Sequence, residues 1–168
     1  MADAPKRSKT FWLAVGCASL AVLMVPCIGV LSAIAIPSFI RYTRRAKTVE
    51  AQTNVAAIAR GVTEYCETER FPPGSALPDA VGPSIITPSA ARQIQDFNAP
   101  GWQAVGFGSS DPLYYAYSIV RPDASSLQVV AEGDLDGNGV RSRYEIDCTT
   151  TGPASCSCGE LIVTNDLE

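Results

Sequence analysis

A predominantly apolar run extends from Phe11 to Ile40, thirty positions without a charge. At 1.5 Å of rise per residue a helix of that length crosses the roughly 30 Å hydrocarbon core of a bilayer, so the run predicts a transmembrane helix over residues 11–40. A cleaved secretory signal has a shorter apolar core and a small-residue cleavage site. Here the run passes through Ala33-Ile34-Ala35-Ile36 directly into another helical pattern, so the segment is expected to be retained.

That second pattern runs from Tyr42 to about Glu69. Ala46, Val49, Val55, Ile58, Ala59, Val62 and Tyr65 fall largely on one helical face, with Arg44, Glu50, Arg60, Glu64 and Glu67 elsewhere. The spanning helix is therefore expected to continue as a soluble half over residues 41–70. Pro26 and Pro37 should kink it without ending it, and Phe71-Pro72-Pro73-Gly74 should stop it.

Residues 71–112 are rich in proline and glycine and read as a connector with one short helix near Ser89 to Phe97. The period then changes to two. Tyr115–Val120, Leu127–Ala131, Arg143–Asp147 and Glu160–Val163, separated by turn residues, predict an antiparallel sheet of three or four strands within residues 114–164. The fold class is α+β: a basic tail at residues 1–10, the two helix halves, and a loop-rich β domain over residues 71–168.

Charge divides the chain in the same place. Residues 1–47 hold seven Lys and Arg against Asp3 alone; the rest holds six against sixteen Asp and Glu, a net −10. The basic residues flank the apolar run, and the acidic remainder excludes nucleic acid as a partner, because phosphate binding needs clustered cations. With no histidine in the chain, the commonest general base and the usual nucleophile–base pairs are missing. No phosphate-binding glycine loop or paired-carboxylate motif stands outside the loop described next, so neither an enzyme nor a small-molecule substrate is expected.

Cys66, Cys148, Cys156 and Cys158 lie outside the apolar run, and Cys17 and Cys27 within it. The single residue between Cys156 and Cys158 is shorter than the usual zinc-ligand spacing, so four cysteines in a small non-cytoplasmic domain predict two disulfides. Residues at i and i+2 rarely bond to each other. Cys148 is thus expected to pair with Cys158 or Cys156, and Cys66 with the other.

Asp134-Leu135-Asp136-Gly137-Asn138-Gly139-Val140-Arg141-Ser142-Arg143-Tyr144-Glu145 fits the calcium-loop template D-x-[DN]-x-[DN]-G-x5-E. Calcium takes six to eight oxygens, and the candidate ligands are Asp134, Asp136, Asn138, the Val140 carbonyl, Ser142 and Glu145. The flanks read as strands, so the loop is not part of a complete EF-hand. A plain hairpin built on Asp136-Gly137 and Asn138-Gly139 is the competing reading. Bound calcium would be structural, neutralising clustered carboxylates. Disulfides and calcium together place the C-terminal domain outside the cytoplasm.

Gly29-Val30-Leu31-Ser32-Ala33-Ile34-Ala35-Ile36-Pro37-Ser38-Phe39, followed by Tyr42, Arg44, Ala46 and Glu50, resembles the helical spine of type IV pilins and type II secretion pseudopilins. Gly133 to Gly139 between strands resembles the calcium-bearing β region of some pseudopilins. The resemblance implies a pilin-like fold, a long N-terminal helix packed on a small antiparallel sheet, and a structural role in an envelope filament or secretion assembly. It implies the bacterial inner membrane as location, single-pass with the β domain periplasmic or extracellular, and other pilin or pseudopilin subunits as partners through the helix. The sequence departs from the family at Leu20, where the family carries Glu, and at Phe11–Val15, where the family's leader is hydrophilic. Both departures point to a minor or permanently anchored component.

Overall fold

The computed structural model describes residues 9–68, 77–152 and 155–166. Most of the basic tail and the Phe71–Gly74 stop lie outside them. The chain divides into one unit ending at Tyr42 and a second beginning at Thr43.

Helix α1 runs Lys9–Glu67, through both prolines. In the first unit its apolar side chains, Leu13, Val22, Ile34 and Phe39 among them, are exposed. By length and composition this is a helix able to cross a membrane. Two of its serines bond back to the helix itself: Ser19 donates to the Val15 carbonyl at 2.9 Å and Ser38 to the Ile34 carbonyl at 2.9 Å, satisfying hydroxyls that a hydrocarbon surrounding would leave without a partner.

In the second unit α1 buries Thr48, Ala51, Val55, Ile58, Ala59, Val62, Tyr65 and Cys66, a stripe along one helical face. Ala46 and Val49, predicted for that face, are exposed. At 100° per residue Ala46 lies half a turn from Val55, whereas Thr48 and Ala51 are nearly in line with it. One face of α1 reaches the backbone of another segment. A Cβ on Gly61 would stand 2.0 Å from the Val105 carbonyl oxygen, so only glycine permits the approach.

The sheet is a four-stranded antiparallel meander, with β1 Ala116–Val120, β2 Ser126–Gly133, β3 Ser142–Gly152 and β4 Ser155–Thr164 in spatial order. All four predicted strands are present; β3 and β4 are longer than expected. Tyr117, Ile119, Leu127, Val129, Ala131, Tyr144, Ile146 and Cys148 form the buried face. Disulfides join Cys66 to Cys156 and Cys148 to Cys158. This is one of the two pairings that spacing left open, and its second bond joins residues directly opposite on β3 and β4.

The connector differs from expectation. Residues 89–97 are not helical, because Gln93 forms an antiparallel bridge with Leu113 and must be extended there. The short helix is α2, Pro100–Ala104, which starts on a proline that has no N–H to lose at a helix N-terminus. The connector also seals the β1 edge. Val81 exchanges both backbone bonds with Ile119, Ser84 bonds the Tyr117 carbonyl through its N–H and accepts from the Tyr117 N–H through its hydroxyl, and the Gln95 amide donates to the Tyr115 carbonyl.

Glu50 pins α1 to the start of β1. Its Oε1 accepts from the Tyr114 N–H at 2.8 Å, the Tyr115 N–H at 3.3 Å and the Tyr117 hydroxyl at 3.3 Å, while Asn54 donates to the same hydroxyl at 2.9 Å. Burial, reinforced for Tyr117 by the Glu50 charge, holds the phenols of Tyr115, Tyr117 and Tyr144 above their ordinary 10.0. Below that pH the phenols are neutral whether the chain is folded or not. Above it the unfolded chain releases protons that the folded chain keeps, so stability falls as pH rises. The melting temperature is expected to drop only above about pH 10, with phenolate absorbance appearing together with loss of the sheet's circular dichroism. Phenolate absorbance at full sheet content would contradict this.

Candidate functional site

The β2–β3 connection, residues 134–141, is the segment in which the sequence concentrates oxygen ligands. Gly133 pairs with Ser142 at its base. Gly137 and Gly139 take φ of 77° and 88°, a region that costs glycine little and other residues more. They let the chain curl around one carboxylate.

That carboxylate is Asp134, 8% exposed. Its Oδ1 accepts from the N–H groups of Gly137 at 2.7 Å and Asn138 at 3.2 Å, and its Oδ2 accepts from Gly139 at 3.0 Å. Asp136 Oδ1 accepts from the Asn138 N–H at 3.1 Å, and Asn138 Oδ1 accepts from the Val140 N–H at 2.6 Å. Each is the local side-chain-to-backbone bond that Asp and Asn make in turns. Asp134, Asp136, Asn138 and Val140 are thereby gathered in one loop.

Ser142 and Glu145 are placed differently. Ser142 is fully buried at the ladder's first pair; its hydroxyl donates to the Gly133 carbonyl at 3.2 Å, with the Tyr115 hydroxyl 3.4 Å away. Glu145 belongs to β3, opposite Val130, where it accepts from Arg143 Nε at 2.6 Å and from the Gln128 amide at 3.1 Å. A strand advances about 3.3 Å per residue, so Glu145 is carried some 10 Å up the ladder from Ser142, where a helix would have curled it back. Among the described residues, no three or more Cys, Asp or Glu side chains are grouped as a metal ion would need.

The loop has a cationic neighbour that its sequence does not announce. Arg44, on α1, lies 3.2 Å from Asp136 Oδ2, both side chains being partly shielded. Beside the loop, Glu132 accepts from Arg141 at 3.1 Å and Arg143 at 3.0 Å, and Arg143 also pairs with Glu145. The acidic stretch is thus laced to three arginines, one from the helix and two from β3 and its approach.

Chemically the loop offers carboxylate and carbonyl oxygens with spare lone pairs. A carboxylate has about four acceptor positions, and Asp134 uses three of them on backbone N–H groups. This donor set suits a hard cation. No protein-family model matches the chain, and no curated protein and no solved structure matches it.

Proposed function

We propose that the chain is a structural pilin-like or pseudopilin-like subunit of an envelope filament or secretion assembly, anchored by the first part of α1. The observation that carries this reading is the two-part character of a single helix: α1 is apolar and exposed through its first part, and beyond Thr43 it buries one face beneath an antiparallel sheet. One element then serves as both anchor and spine of the head, an arrangement suited to lateral packing of many helices in a shared apolar core. Native envelope fractions sheared and pelleted for filaments should contain the chain together with other helical-spine subunits. Recovery of the chain only as single molecules in the membrane fraction would support a second reading, an anchored binding module that does not polymerise. Leu20, apolar and exposed where type IV pilins carry Glu, points to a minor or permanently anchored component rather than a major filament subunit.

The loop at 134–141 is proposed to bind calcium through Asp134, Asp136, Asn138 and the Val140 carbonyl, fixing the hairpin and taking no part in chemistry. Ser142 and Glu145 enter the ligand set only if the base of the hairpin opens. A cation at tenfold over its dissociation constant adds about 1.4 kcal/mol, which is readable as a calcium-dependent rise in melting temperature. Asp136→Asn keeps the acceptor for the Asn138 N–H and removes the charge, so it should abolish the rise, while loss of the Arg44 pair lowers calcium-free stability by no more than about 1 kcal/mol. Asp134→Ala leaves the Gly137 and Gly139 N–H groups without their acceptor, while Asn138 keeps Asp136, and should cost about 1–3 kcal/mol with or without calcium. A wild-type melting temperature indifferent to calcium would remove the metal and leave Asp134 as a hairpin staple.

A further inference from the structure

The two edges of the sheet are treated in opposite ways. The β1 edge is short and closed by Val81, Ser84 and Gln95. β4, ten residues long, is the other edge, and among the described residues no segment pairs with its outer side. Proteins normally protect such an edge with charge, proline, bulges or shortness. β4 has Glu160 as its one charged residue and no proline. Its one bulge sits at Gly159–Glu160, where three steps of β4 oppose two of β3 between Ile146 and Cys148; the other irregularity, between Thr150 and Gly152, lies at the far end, so Leu161 to Thr164 runs without a break. In that regular stretch Ile162 is 51% and Val163 41% exposed.

We propose that this edge pairs with the same edge of a second copy, antiparallel and centred on Ile162, joining two sheets into one of eight strands. The sequence is self-complementary in that register. Leu161 faces Val163 of the other copy, Glu160 faces Thr164, and the two Ile162 side chains meet on the outer face. Neighbouring registers are worse. Centring on Glu160 sets two carboxylates opposite each other, centring on Leu161 sets Glu160 against Ile162, and centring on Val163 sets Glu160 against Asp166. Like charges directly opposite destabilise a strand pair, and apolar pairs stabilise it. The added backbone bonds supply affinity, as in strand addition generally. The inference needs only the sheet and stands whether or not the chain joins a filament.

The test uses the full chain in lipid vesicles with Cys17→Ser and Cys27→Ser, leaving both disulfides intact. Ile162→Cys, treated with a short bis-maleimide, should give a product at twice the chain mass, because residues paired across antiparallel strands have Cα atoms about 5 Å apart. Thr164→Cys alone should remain single, since its counterpart lies roughly 13 Å along the strand. Mixing Glu160→Cys chains with Thr164→Cys chains should restore the doubled product. In the otherwise native chain, Ile162→Lys should reduce the detergent-solubilised mass from dimer to monomer. Ile162→Cys that reacts fully with a monofunctional maleimide yet does not cross-link would overturn the proposal, as would equal cross-linking at Thr164→Cys.

Discussion

Replacing Cys66 and Cys156 together by alanine is expected to cost about 4–5 kcal/mol, and replacing Cys148 and Cys158 together about 2.7 kcal/mol, by the loop-closure entropy each bond removes from the unfolded chain. The difference comes from separation: the first bond closes 90 residues and the second 10. The long bond ties the end of α1 to β4, whereas the short one joins strands already held by their ladder. A small domain has about 5–15 kcal/mol in total, so loss of the long bond should leave the head close to unfolding at physiological temperature. Denaturant titration of the detergent-solubilised variants, followed by near-ultraviolet circular dichroism, measures both costs. A larger loss from the short bond would mean that native-state contacts, rather than unfolded-state freedom, dominate at these positions.

The same connectivity shows where sequence pattern sufficed and where it stopped. α1 and the four strands were legible because period is a local property: thirty uncharged positions, then a 3.6-residue stripe, then alternation. Errors arose where polar or small residues do apolar work. Thr48 and Ala51, not Ala46 and Val49, begin the buried stripe of the second unit. β3 extends through Thr149 and Thr150, residues whose branched side chains suit a strand although they break the apolar alternation.

For the candidate site, the carboxylates and glycines of residues 134–139 were legible because turn chemistry is written in adjacent residues. The Arg44–Asp136 pair was not, because nothing in either local sequence specifies the other. Glu145 shows the limit of a motif. The template assumes that the chain turns into a helix after the loop, and here it continues as a strand, which changes what the twelfth position can reach.

The connector was the least legible part, and it holds the largest buried side chain. Trp102, on α2, is 1% exposed, with its ring edge-on to Phe97 at 5.3 Å and tilted against Phe107 at 5.9 Å. Phe107 in turn meets Phe97 at 5.3 Å and Tyr117 of β1 at 5.7 Å. Such aromatic pairs add to the area they bury, and removing a buried tryptophan leaves a cavity that its rigid neighbours fill poorly. Trp102→Ala is therefore expected to cost about 3–5 kcal/mol, and Trp102→Phe distinctly less because the aromatic contacts survive in part.

The damage should also spread in a definite direction. Gly101 packs so closely on Val81 that a Cβ there would stand 2.0 Å from its side chain, and Val81 holds the β1 edge through Ile119. Loosening α2 should therefore free that edge. Amide exchange at Ile119 and Tyr117 should rise in Trp102→Ala well before exchange in the β2–β3 ladder does. Uniform loss of protection across all four strands would show instead that the aromatic cluster and the sheet unfold as one cooperative unit.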